Sequence, residues 1–119
     1  MPRILVAEDD VLLLGAIRDT LELDGYSVCG VTNGVQAMEA FHRFKPELIV
    51  TDVAMPEIDG FELYRRVRGD SSGTAIPFVF ISARYEAQAV AQVAGNNSAY
   101  LRKPFSLEEL LEKVRRFLR

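Results

Sequence analysis

The sequence predicts an α/β fold: a single doubly wound (βα)5 domain on a five-stranded parallel sheet. Three observations point to it. Short apolar runs rich in β-branched residues alternate with stretches of helical period along the whole chain, the pattern of repeated β-α units rather than of a sandwich or bundle. The runs are apolar at nearly every position, as strands covered on both faces are. Two of them, Arg3-Ile4-Leu5-Val6-Ala7 and Leu48-Ile49-Val50-Thr51, run straight into acids, Glu8-Asp9-Asp10 and Asp52. In open α/β sheets ligands gather outside such carboxyl ends.

The elements follow in order. Asp10 is placed to cap a first helix whose Val11, Leu14, Ile17 or Arg18 and Leu21 recur at helical spacing, and Gly25 ends it. Strand 2 covers Ser27 to Val31. Asn33-Gly34 turns the chain into a second helix with Ala37, Met38, Phe41 and Phe44 on one face, stopped by Pro46. The third strand carries Asp52 to its end. A third helix covers Phe61 to Arg68 with Leu63, Tyr64 and Val67 inward, and the polar run 69–74 is its exit loop. Strand 4 is Pro77 to Ile81, ending in Ser82-Ala83. Glu86 to Ala94 holds good helix formers, with Val90 and Val93 as its larger apolar residues, and Gly95-Asn96-Asn97 ends it. Strand 5 is short, Ala99 to Leu101. The last helix opens on Ser106-Leu107-Glu108-Glu109, a capping box, and buries Leu107, Leu110, Leu111, Val114 and Leu118.

Composition limits the function classes. With 119 residues, 49% hydrophobic and 26% charged, the chain suits one domain, residues 1–119, with a real core and no room for a second. Net charge is −3, from 14 basic and 17 acidic residues mixed along the chain, so no basic footprint exists for a nucleic-acid backbone. Met1-Pro2-Arg3-Ile4 enters a strand without the features of a signal peptide, and no apolar run approaches membrane-spanning length. A cytoplasmic protein with no direct nucleic-acid or membrane partner is expected. The single Cys29 cannot form an internal disulfide and reads as a buried strand thiol. His42, without a second histidine or cysteine nearby, reads as a solvated side chain and a poor metal site.

In a parallel sheet every strand end lies on one edge, which lets Glu8, Asp9, Asp52, Ser82 and Lys103 converge. Like charges packed that closely need a cation. Two or three carboxylates with open water positions suit Mg²⁺ (or Mn²⁺), a hard ion usually held by one or two carboxylates plus phosphate oxygens. With that charge neutralised, Asp52 can attack a phosphorus centre as a nucleophile, while Lys103 spreads charge over the phosphoryl oxygens and Ser82 donates a hydrogen bond to one of them. Asp10 reads as a helix cap and Asp59 as a turn residue rather than as ligands.

Four motifs in this order resemble the receiver domain of two-component response regulators: Ile4-Leu5-Val6-Ala7-Glu8-Asp9-Asp10, Asp52-Val53-Ala54-Met55-Pro56 with Gly60 beyond it, Ile81-Ser82-Ala83, and Tyr100-Leu101-Arg102-Lys103-Pro104-Phe105. The resemblance spans the whole chain. It implies a flavodoxin-like sheet of order 2-1-3-4-5 and transfer of phosphoryl from a histidine kinase or phosphotransfer protein to Asp52. It implies that Asp9, Asp52 and the Ala54 backbone carbonyl hold Mg²⁺ directly, with Glu8 acting through water. A cis Lys103–Pro104 peptide, Ser82 and Tyr100 as a switch pair, and Ala54 and Arg84 as tuners of dephosphorylation come with it. Such a domain is a phosphoacceptor signalling module and not an enzyme on other substrates.

The chain also departs from the family. From Ser82 to Gly95 it is shorter than the usual spacing, which makes the 86–94 helix atypically short, and the run from Gly95 to Tyr100 is longer. From Ala87 to Ala99 there is no charged residue, so a salt-bridged dimer through this face lacks its partners and a monomer or weak dimer is expected. Small apolar side chains there suit docking to a separate effector protein or domain. Two other chemistries fit less well. An aspartyl-nucleophile phosphatase needs a second acid two residues beyond Asp52, where Ala54 stands, and a flavin site would be repelled by Glu8-Asp9-Asp10. A receiver that docks without taking phosphate is the remaining alternative.

Overall fold

The structure, a computed structural model, describes residues 1–83 and 97–118. Five strands, β1 (Arg3–Ala7), β2 (Ser27–Val31), β3 (Leu48–Asp52), β4 (Phe78–Ser82) and β5 (Ser98–Arg102), form one sheet of order β2-β1-β3-β4-β5. Every pairing is parallel, with Ala7 beside Thr51 and Asp52 beside Ile81 in register. The helices among the described residues are α1 (Val11–Leu23), α2 (Gly34–Phe44), α3 (Gly60–Arg68) and α4 (Leu107–Phe117). The 86–94 helix expected from the sequence, and Arg84, lie outside the described residues. No helix among the described residues is long and apolar enough to cross a membrane.

Strand alternation divides the core in two. Leu5, Ala7, Ile49, Phe78 and Phe80 face α2 and α3, where they meet Ala37, Phe41, Leu63 and Val67. Their neighbours Ile4, Val6, Val50, Val79 and Ile81 face the other way, against Leu14, Ile17 and Leu21 of α1 and Leu110 and Val114 of α4. Covering both faces explains why the central strands carry no polar alternation. Phe78 and Phe80 stack with ring centroids 5.4 Å apart, and the Tyr64 ring meets Phe78 edge-on at 5.1 Å. Truncating such a buried ring costs about 3–5 kcal/mol.

Local chemistry sets the helix ends. Asp10 caps α1 by accepting from the Leu12 and Leu13 backbone N–H groups, and Gly25, at φ 96°, takes the left-handed conformation just beyond that helix. Asn33 caps α2, and Lys45 leaves it in the left-handed region at φ 53° before Pro46. Ser106 and Glu109 form the expected capping box of α4. Arg115 of α4 reaches Asp24 at 3.0 Å, tying the two helices of that face and holding the Asp24 carboxyl below its ordinary range.

Several expectations are corrected. Asp59 is not a bare turn residue: its side chain accepts from the Glu62 N–H and caps α3, which therefore starts at Gly60. Val11 and Leu107, expected inward, are 68% and 39% exposed, because each sits in the first turn of its helix, past the edge of the face it packs on. The Cys29 thiol is half-buried, since β2 is an edge strand. His42 is exposed, as expected, and in addition its Nε2 lies 3.0 Å from Asp70 Oδ2 and its Nδ1 3.0 Å from the Met38 carbonyl. Part of the exit loop after α3 is a single 3₁₀ turn, Ser71–Gly73.

Candidate functional site

The carboxyl ends of β1, β3, β4 and β5 bring five of the predicted residues to one edge. Glu8 is fully buried, Asp52 is 4% and Ser82 1% exposed, while Asp9 faces solvent. Lys103, just beyond β5, extends over the sheet edge: its ammonium donates to Asp52 Oδ2 at 2.8 Å and lies 3.1 Å from Glu8 Oε1. The Lys103–Pro104 peptide is cis, as the resemblance implied. The Lys103 backbone N–H donates to the Ser82 carbonyl at 2.9 Å, anchoring the turn that carries the lysine to the end of β4.

The two buried carboxylates are each held by the backbone around them. Asp52 Oδ1 accepts from the Ala54 N–H at 3.2 Å, and Glu8 Oε2 from the Asp10 N–H at 3.0 Å. Glu8 Oε1 is buried and accepts no hydrogen bond. Burial pushes the Glu8 carboxyl up from 4.5 to about 7; the Asp10 N–H opposes that rise, the Asp52 charge adds to it, and Lys103 opposes it. Burial lowers the Lys103 ammonium, but its hydrogen bond and charge interaction with Asp52, aided by Glu8, outweigh that and leave it raised. An acid that stays half-protonated near neutrality beside a charged lysine marks a site short of positive charge.

Glu8, Asp9 and Asp52 each offer an oxygen, and these lie within 4.8 Å of one another. The donor set is all oxygen and hard, which fits a divalent cation of the Mg²⁺ type, and Glu8 Oε1, ion-paired but without a hydrogen bond, is an oxygen such an ion or its water would satisfy. A shallow cleft of about 390 Å³, lined by Asp10, Leu13, Ala83, Lys103, Pro104 and Phe105, opens beside the lysine. A larger hollow of about 700 Å³, lined in part by Phe41, Lys45 and Ile76, contains none of these residues.

The expected switch pair is in contact. The Tyr100 hydroxyl donates to the Ser82 backbone carbonyl at 3.4 Å, with Tyr100 beside Phe80 in register and packed on the α2 and α3 side. The Ala54 side chain is exposed. Two residues gain a role that spacing did not reveal. A Cβ on Gly60 would lie 2.5 Å from the Asp52 carbonyl oxygen, so the loop closes on β3 only without a side chain there. Thr51, read only as a strand residue, is fully buried, and its hydroxyl donates to that same carbonyl at 3.0 Å. A lone hydroxyl in an otherwise apolar buried run was the available signal.

Comparison with known proteins agrees with this geometry. The family model for the response regulator receiver domain matches residues 4–115. The response regulator MprA of Mycobacterium leprae is 40% identical over 118 residues, 98% of this chain and 51% of that protein, and its counterpart in Mycobacterium avium is 39% identical over a similar span. The chain thus spans about half the length of these curated relatives. Among solved structures, chemotaxis protein CheY4 of Vibrio cholerae superposes with a TM-score of 0.90 at 27% identity, covering 99% of both chains. The receiver domain of the sensor histidine kinase PA1611 of Pseudomonas aeruginosa, whose structure has a magnesium ion coordinated in its active site cleft, superposes at 0.85 with 30% identity, covering 98% of this chain and 96% of that one. With its doubly wound sheet of order 2-1-3-4-5 and its acids beside a lysine at the sheet edge, this chain belongs to the receiver domains of two-component response regulators.

Proposed function

We propose that Asp52 accepts a phosphoryl group from the phosphohistidine of a sensor histidine kinase or phosphotransfer protein. An Asp52 carboxylate oxygen attacks phosphorus, the P–N bond breaks, and the leaving imidazole takes the electron pair and a proton. The observation that carries this reading is the Lys103 ammonium, 2.8 Å from Asp52 and 3.1 Å from Glu8, which puts one fixed cation beside the nucleophile. As the phosphoryl group forms its bond to Asp52, Lys103 is free to pair with the new oxygens, and the Ser82 hydroxyl is the hydrogen-bond donor from the next strand.

Asp9, Asp52 and the Ala54 backbone carbonyl would hold Mg²⁺ (or Mn²⁺), with Glu8 acting through water. When bound, the ion neutralises the acidic cluster and the charge on the transferred group. Phosphorylation then draws Ser82 and Tyr100 toward the site and changes the surface of β5 and its neighbours, the face offered to an effector protein or domain. Beside the acids, the first turn of α1 presents Leu12 at 87% exposure, and the same stripe runs through Ala16 to Leu23, 90% exposed at the far end of the helix about 16 Å away. An uncovered stripe that starts beside a site that must admit another protein's histidine and runs the length of α1 suits a helical docking partner.

Intact mass after incubation with Mg²⁺ and acetyl phosphate tests the assignment. A gain of one phosphoryl group in the native protein, absent from Asp52→Asn and from a chelated sample, is expected. A native protein that takes no label, or an Asp52→Asn variant labelled at the native rate, would leave the phosphorylation-independent docking module as the better reading.

A further inference from the structure

We propose that Thr51 is a positioning residue for Asp52, a role that rests on the proposed function of Asp52 as nucleophile. Thr51 is 0% exposed and stands on β3 at a position whose register neighbours are Ala7 and Phe80, so its side chain lies in an apolar layer. A hydroxyl buried among such groups costs free energy unless it is bonded. Here it donates to the backbone carbonyl of Asp52 at 3.0 Å.

That carbonyl is gripped from a second side. Gly60 lies so close that a Cβ would come within 2.5 Å of the oxygen, and the Gly60 N–H donates to the next carbonyl, that of Val53, at 2.8 Å. The Asp52–Val53 peptide is therefore fixed between its own strand and the start of α3. The turn that follows sends the Ala54 N–H back to Asp52 Oδ1 at 3.2 Å, while Lys103 takes Oδ2 at 2.8 Å. Both oxygens of the nucleophile are thus oriented, one by a charged side chain and the other by a backbone turn that begins at the peptide Thr51 holds. Without the hydroxyl, the Asp52 carbonyl loses that donor within the core, the peptide is held on its N–H side by the Val53 bond to the Ile81 carbonyl at 2.9 Å, and the Ala54 N–H is less tightly aimed. A nucleophile displaced by a fraction of an ångström loses rate without losing its fold.

Thr51→Val keeps the shape of the side chain and removes only the hydroxyl; Thr51→Ala removes it by a second route; Thr51→Ser restores it. Amide hydrogen exchange in the Mg²⁺-free protein reads the Ala54 N–H directly. Its protection should fall on the order of tenfold in Thr51→Val and Thr51→Ala, relative to the core amides of β3, and return in Thr51→Ser. With acetyl phosphate and saturating Mg²⁺, the maximal labelling rate per folded molecule should fall by a similar factor with half-saturation unchanged, and Thr51→Ser should recover it. Unchanged Ala54 protection, or a labelling rate that follows only the fraction folded, would overturn the proposal. If the native protein takes no label, the phosphoacceptor reading fails by itself, and the exchange of the Ala54 amide still decides whether Thr51 orients Asp52.

Discussion

Glu8 Oε1 lies 3.1 Å from the Lys103 ammonium as an ion pair outside hydrogen-bonding geometry, whereas Asp52 Oδ2, at 2.8 Å, accepts a hydrogen bond from it. One cation is shared unequally between two buried acids. The raised Glu8 carboxyl follows from burial first and from the neighbouring Asp52 charge after it.

This arrangement sets a pH dependence. Because Glu8 titrates at about 7 in the fold and near 4.5 when exposed, the folded state favours its protonated form. The resulting stabilisation is complete below 4.5 and is lost as pH rises through about 7, at most on the order of 3 kcal/mol. Asp70 acts in the opposite sense and lower down: the Ser72 hydroxyl and N–H, with His42, hold its carboxyl at about 2, so its contribution disappears as pH falls from 3.8 toward 2. In chelator, urea midpoints should decline between pH 4.5 and 7, and saturating Mg²⁺ should flatten that decline. A midpoint that rises across this window in chelator would contradict the assignment.

Replacing Lys103 by alanine leaves Glu8 and Asp52 facing each other without that cation. Apo stability should fall by about 2 kcal/mol, and Mg²⁺ should restore most of it. The ammonium contacts the acids and not the Ala54 carbonyl, so Mg²⁺ affinity should survive better in Lys103→Ala than in Asp9→Ala. Calorimetric titration of both variants measures the difference, and equal collapse of affinity would show the division of roles to be wrong.

Leu12→Lys probes the exposed α1 stripe. Transfer from a cognate kinase should slow by about tenfold, whereas labelling by acetyl phosphate stays unchanged, because no substituent there reaches Asp52. Equal slowing with both donors would place the effect in the chemistry and not in docking.

Gly60→Ala should destabilise the fold by about 2–4 kcal/mol, since the added methyl meets the Asp52 carbonyl and the Val53 Cα, both backbone, rather than a side chain that can turn away. Thermal unfolding of the variant checks this. A melting temperature equal to that of the native protein would mean that the loop gives way without cost.

Much of this protein was legible in the chain itself. The buried strand runs, the capping box at Ser106, the acids at the ends of β1 and β3, and Lys103 before Pro104 all follow from local pattern, because strand and helix periods and helix caps are properties of neighbouring residues. The common edge of a parallel sheet then brings Glu8, Asp9, Asp52, Ser82 and Lys103 together in any chain with that element order. What local pattern does not hold is how far each face extends and which groups meet across it. Helical period placed Val11 and Leu107 on buried stripes, but only the packed sheet shows that their first turns overhang its edge. His42 meets Asp70 across 28 positions, and Gly60 meets the Asp52 carbonyl through a loop whose closure no spacing rule contains. The unequal sharing of Lys103, at 2.8 Å from Asp52 and 3.1 Å from Glu8, was likewise decided in three dimensions, because the strand ends and the turn beyond β5 fix where the ammonium comes to rest.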